Sequence, residues 1–100
     1  MIRRVVVGLS DTLTIGGHLV VNAADRDRYV ADCAEAVAAA RNGEGWLDFA
    51  VSADAVDPRR VNVLERWRSR ESLVAFRGAG PDEDIASRIL AMDIAEYEVR

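Results

Sequence analysis

The spacing of apolar and polar residues divides the chain into eight candidate elements. Ile2 to Leu9 holds the β-branched run Val5-Val6-Val7 and ends at Gly8-Leu9-Ser10-Asp11, which reads as a strand and then a turn. Thr12 to Asn22 (TLTIGGHLVVN) is a second extended segment. Glycine is costly in a regular strand, so its Gly16-Gly17 pair marks a bulge or a close approach of backbone. Asp25 to Arg41 is the clearest helix: Val30, Cys33, Ala34, Val37 and Ala38 recur at three and four, and Asn42-Gly43 stops it. In Gly45 to Ala53, Leu47, Phe49 and Val51 alternate against Trp46, Asp48, Ala50 and Ser52, the pattern of a half-buried strand.

After turn signals at Asp54 and Asp57-Pro58, a strand over Val61 to Trp67 puts Val61, Val63, Glu65 and Trp67 on one face and Asn62, Leu64 and Arg66 on the other. Ser69 is placed to cap a helix with Leu73 and Phe76 on one side, ended by Gly78 and Gly80-Pro81. The acidic Asp82-Glu83-Asp84 opens a short helix with Ile85, Ile89 and Leu90 facing inward. A last strand alternates Ala95, Tyr97 and Val99 with Ile94, Glu96 and Glu98. Preceded by an extra extended segment, the order is β-α-β-β-α-β, the ferredoxin-like split motif of the α+β class. Helices on one face of an antiparallel sheet leave the other face to be covered, and two chains packed sheet to sheet would cover it.

Composition narrows this picture. One hundred residues, half of them hydrophobic and 30% charged, make a single domain spanning residues 1–100. A net charge of -4 gives no broad attraction for nucleic acid or an anionic membrane. All the basic residues are arginine. Cys33, the one cysteine, has no disulfide partner within the chain and reads as a small buried hydrophobe. The N-terminal apolar run is too brief for a signal-peptide core or a membrane span, so the expectation is a cytoplasmic protein.

Glu65-x-Trp67-x-Ser69-x-x-x-Leu73 resembles the segment typical of the antibiotic biosynthesis monooxygenase family, and the resemblance runs from about Gly17 to Arg100. It implies a dimeric α+β barrel built from ferredoxin-like domains. For many members it implies an oxygenase that needs no cofactor or metal and combines a small molecule with dioxygen. Members with the motif often carry a histidine seven residues after the serine, and Phe76 stands at that position. For the haem-degrading branch the resemblance implies a strand asparagine and a helix tryptophan, and the matching positions are Gly17 and Phe76. Haem degradation is therefore disfavoured.

Candidate chemistry is sparse, since metal-site spacing, a phosphate-binding glycine loop and a nucleophile elbow are all absent from the sequence. His18 is the only histidine, and imidazole is the side chain whose ordinary titration spans neutrality. It is a candidate base for a phenolic or enolic substrate, or else a hydrogen-bonded strand residue. Trp67 and Phe76 are candidate walls for a planar substrate, although a strand-end tryptophan also suits a core. Tyr29 and Tyr97 offer hydroxyls to a substrate carbonyl or sit at an interface, and Asn22 orients a substrate oxygen or turns the chain. Arg66, Arg68 and Arg77 bind a substrate carboxylate or form a solvated charged face. With the resemblance, these residues predict a cofactor-independent monooxygenase of an aromatic, quinol-like or polyketide-type small molecule. The alternatives are a non-catalytic binding or interaction module and an isomerase or lyase on the same scaffold.

Overall fold

A computed structural model describes residues 12–78 and 83–99, so the expected strand over Ile2 to Leu9 lies outside the described residues. The elements are β1 (Thr12–Val20), α1 (Arg26–Asp32), α2 (Ala34–Arg41), β2 (Trp46–Ala53), β3 (Arg60–Trp67), α3 (Arg70–Arg77), α4 (Glu83–Ser87) and β4 (Ala91–Val99). The four strands form one sheet in the order β2-β3-β1-β4 with every neighbouring pair antiparallel. This is the ferredoxin-like α+β arrangement.

Directly paired residues share a face of an antiparallel sheet. On the helix side, Leu13, Ile15, Gly17 and Leu19 of β1 lie opposite Trp67, Glu65, Val63 and Val61 of β3, and opposite Glu98, Glu96, Ile94 and Met92 of β4. The helices cover this face and divide its apolar residues into two cores. Leu13, Ile15, Ala40, Phe49, Trp67 and Leu73 form one, and Leu19, Val21, Tyr29, Cys33 and Val61 form the other. On the opposite, open face lie Gly16, His18, Ala50, Leu64, Ala95 and Tyr97, of which Leu64 and Tyr97 are 40% and 58% exposed.

Three local details depart from the periodicity. The helix expected over Asp25 to Arg41 is broken at Cys33, whose N–H is shared between the carbonyls of Tyr29 and Val30. Sharing of that kind tightens a single turn and starts a second helix. In β2 the register shifts between Trp46 and Asp48, so Trp46 pairs with Trp67 and packs on the first core instead of sharing a face with Asp48. The extra residue of a bulge reverses the alternation on one side of it. Leu90, expected to face inward, is 60% exposed, while Ile85 and Ile89 pack against the second core.

Elsewhere the sequence signals act as read. Ser69 caps α3 by accepting from the Ser72 N–H, and Asn42 and Gly43 close α2 through carbonyls of Ala39 and Ala40. Asp54 gathers the backbone N–H groups of Val56 and Asp57 and the Asn62 amide, which together hold its carboxyl down at about 2 and fix the turn between β2 and β3. At Gly16-Gly17 the ladders on both sides run through without a register shift. The pair therefore marks the close approach and not a bulge. Gly17 has a φ of 149°, and a Cβ built there would stand 2.0 Å from the Asp93 carbonyl oxygen.

Candidate functional site

Between the two cores, one row of residues crosses the helix side of the sheet: Val51, Val63, Gly17 and Ile94. On the central strands the rows to either side are buried, with Glu65 and Ile15 in one and Val61 and Leu19 in the other, while Val63 and Gly17 remain half-buried. Gly17 leaves no open space in this row, because the Asp93–Ile94 backbone stands where its Cβ would be, and Val51 and Ile94 pack against both cores.

On one side of this row lies the first core, where β3 meets α3. Trp67 is fully buried, and Phe76 stacks on it with centroids 5.3 Å apart while meeting Phe49 edge-on at 5.6 Å. The Trp67 Nε1–H donates to Glu65 Oε1 at 3.1 Å, and Arg77 Nη2 donates to Glu65 Oε2 at 3.3 Å. A buried carboxylate is costly unless charge and hydrogen bonds compensate it, and here each oxygen has a donor. Strand alternation brings Glu65 and Trp67 to one face two residues apart, and the Ser69 cap sets α3 so that Phe76 and Arg77 reach back over them.

On the other side lies the second core. Tyr29 is buried in the same core as Cys33, with its ring 5.4 Å beneath the Arg88 guanidinium. Burial pushes both the phenol and the thiol well up from their ordinary ranges. Arg88 grips both oxygens of Asp25 at 2.8 Å and also reaches Asp32 and Asp84, which ties α4 to α1. The hydrogen bond to Arg88 holds the Asp25 carboxyl below its usual value.

The residues singled out in the sequence therefore fall in separate places. Trp67 and Phe76 stack together in the first core and Tyr29 belongs to the second. His18 lies on the open face between Asn62 of β3 and Asp93 of β4. Its register position is five residues from Leu13, the partner of Trp67, or ~16 Å along the strand. A single chain does not bring His18 together with Trp67 and Phe76, because alternation aims them to opposite sides of the sheet. Tyr97 is also on the open face, opposite Thr14. Asn22 is exposed, and its side-chain oxygen accepts the Ala24 N–H in a turn that leads to α1. Of the arginines, Arg66 pairs with Asp48 on the open face and Arg68 is exposed at the strand-to-helix junction.

Periodicity alone did not single out Glu65. The signal for Glu65 was a lone carboxylate among Val61, Val63 and Trp67 on one strand face. An open groove of about 520 Å³ lies between the Gly43–Glu44 turn and α3, with Phe76 in its lining. Among the described residues, no three His, Cys, Asp or Glu side chains converge as a metal site would require, and no helix is long and apolar enough to cross a membrane.

Comparison with known proteins adds the following. The sequence model of the antibiotic biosynthesis monooxygenase family matches residues 12–81. No curated protein sequence is significantly similar to this chain. Among solved structures, a conserved protein of Methanosarcina mazei Go1 superposes with a TM-score of 0.77 at 15% identity, covering 90% of this chain and 94% of that one. A protein of Chloroflexus aurantiacus assigned as an antibiotic biosynthesis monooxygenase gives 0.70 at 26% identity, covering 89% and 92%. SnoaB of Streptomyces nogalater, a cofactor-independent oxygenase, gives 0.70 at 11% identity, covering 91% and 95%.

Proposed function

Since the chain belongs to the antibiotic biosynthesis monooxygenase family, we propose that it is a cofactor-independent monooxygenase acting on an aromatic, quinol-like or polyketide-type small molecule held on the helix side of the sheet. The observation that carries this reading is the helix side of the sheet: half-buried Phe76 stacked on Trp67, the half-buried apolar row Val51, Val63 and Ile94, and one compensated charge pair, Glu65 with Arg77. Such a surface suits a flat, electron-rich ring and shields a reactive intermediate from water. The similarity to the Chloroflexus aurantiacus protein and the oxygenase activity named for SnoaB support the same reaction class.

For an anthrone-type substrate the electrons balance without a cofactor. A C–H proton leaves to solvent and the carbanion passes one electron to dioxygen. The radical pair joins at carbon as a peroxide, and loss of water leaves a new carbonyl. One oxygen atom enters the product and the other leaves as water, with the substrate supplying every electron. The test is oxygen uptake on anthrone and hydroquinone probes in the presence of a chelator, followed by mass analysis after labelled dioxygen. One labelled atom per product is expected. An isomerase or lyase would give no label. No uptake above the blank would leave the binding-module reading, which the absence of a histidine at position 76 favours.

In the same reading two copies pack through their open faces, where Leu64 and Tyr97 stand exposed among Gly16, Ala50 and Ala95. Four strands ~4.8 Å apart and about eight residues long present on the order of 500 Å² of sheet on each copy, about the lower limit of total area for a specific interface. Light scattering at micromolar concentration is expected to give twice the mass of one chain, and a monomer would contradict this packing.

A further inference from the structure

We propose that the free edge of β2, together with the groove beside it under α1 and α2, is a docking site for the C-terminal tail of another polypeptide. The tail adds to the sheet as a strand antiparallel to β2 and ends with its carboxylate on Arg41. This site is independent of the reaction assigned to the helix side of the sheet.

Among the described residues β2 borders the sheet, with β3 as its one neighbour. In an antiparallel ladder every second residue turns its N–H and C=O to the neighbouring strand. On β2 these are the even-numbered residues: the Asp54 N–H donates to the Arg60 carbonyl, and Ser52 and Ala50 lie opposite Asn62 and Leu64. Phe49, Val51 and Ala53 therefore turn theirs outward. The Phe49 carbonyl is met from outside by Arg41, through Nε at 3.2 Å and Nη2 at 3.0 Å. The outward groups of Val51 and Ala53 have no hydrogen bond among the described residues. Unpaired groups of this kind are a template for one more strand.

Beside them lies an open groove of about 540 Å³, lined by Val30, Ala34, Val37, Ala38 and Val51 and reached at its end by Arg41. Val51 stands on the helix side of the sheet, and a residue placed directly opposite it on an added strand shares that side. Its side chain would enter the groove between the alanines. Backbone pairing with a pocket for alternate side chains is the general form of recognition by strand addition.

Arg41 sets both where the added strand stops and what ends it. With the Phe49 carbonyl taken, pairing goes no further than that residue. A strand antiparallel to β2 runs from Ala53 towards Phe49, so its carboxyl terminus is the end that arrives there. A parallel strand would bring an ammonium group or a continuing chain to the same cation. Arg41 is exposed and its Nη1 has no partner among the described residues, which leaves that nitrogen to donate to a carboxylate.

The probe is the peptide acetyl-Ala-Ser-Val-Ser-Val with a free carboxylate, compared with its C-terminal amide. Each is titrated into the full chain and followed at the backbone amide signals of Val51 and Ala53. The free acid is expected to shift both signals and to slow their exchange with solvent about tenfold at saturation. It is expected to bind about tenfold more tightly than the amide, the scale of one charge-assisted contact. Arg41→Gln is expected to remove the preference for the acid. Ala38→Trp fills the groove from an exposed helix position and leaves Arg41 in place, and it is expected to weaken the acid by about tenfold or more. The proposal is overturned if neither signal moves, if acid and amide bind equally to the wild-type protein, or if folded Ala38→Trp binds the acid undiminished. Protection of Val51 and Ala53 that grows with protein concentration in the absence of peptide overturns it too, since a second copy would then occupy the edge.

Discussion

Trp67→Ala is expected to lower the unfolding free energy by about 4 kcal/mol, the usual cost of deleting a fully buried large aromatic side chain. Two losses combine. The first core loses its largest buried member, against which Phe76 stacks and Leu13 and Leu73 pack. Glu65 loses the donor to one of its oxygens, and a buried acceptor left unmade carries its own penalty of roughly 1–3 kcal/mol. In a domain of this length a melting temperature lower by on the order of 20 °C follows, measurable by calorimetry. Trp67→Phe keeps one aromatic ring for Phe76 to stack on but loses the N–H and part of the ring volume, so it is expected to cost less than Trp67→Ala. Equal melting of Trp67→Ala and wild type would mean that this tryptophan is not a core residue.

Gly17→Ala is expected to cost about 3 kcal/mol, combining the strain of a side chain at a φ of 149° with overpacking against a neighbouring strand. The obstacle is backbone. The added Cβ would meet the Asp93 carbonyl oxygen at 2.0 Å and the Ile94 Cα at 2.9 Å, so the β1–β4 ladder must shift. Gly16→Ala is the control: its nearest neighbours would be 4.0 Å away, and a change below about 1 kcal/mol is expected. Urea midpoints of the two variants give the comparison directly. Similar midpoints would contradict the close approach at Gly17.

Much of this arrangement was legible in the sequence because its signals are local. Ser69, Asn42-Gly43 and the strand alternation of β3 each act on their own few residues, and the elements form where those residues place them. The order of elements then leads to the sheet topology through the connections it permits. What stayed hidden is what one extra residue or one strand partner decides. The bulge after Trp46 moves that tryptophan into the core, and no local pattern marks it. Bifurcation at Cys33 divides a helix whose apolar spacing is continuous.

The candidate site was legible in its parts and not in their assembly. Alternation along β1 already separates His18 from Ile15 and Leu19, but which side of the sheet the helices cover follows only from the fold. Glu65 shares the apolar face of β3 with Trp67. Its role as anchor for Arg77 depends on α3 folding back across twelve residues of sequence.

The central claim, that the working face of the sheet is the one under the helices, is tested most directly by oxygen uptake on an anthrone probe with one variant on each face. Ile94→Phe crowds the helix side of the sheet, and His18→Ala removes the only histidine of the sequence from the open face. Turnover is expected to fall at least tenfold in folded Ile94→Phe and to stay within about threefold of wild type in His18→Ala. Removing a general base costs about 10²–10⁴-fold. A loss of that size in His18→Ala, with Ile94→Phe fully active, would place the chemistry on the open face and contradict the account.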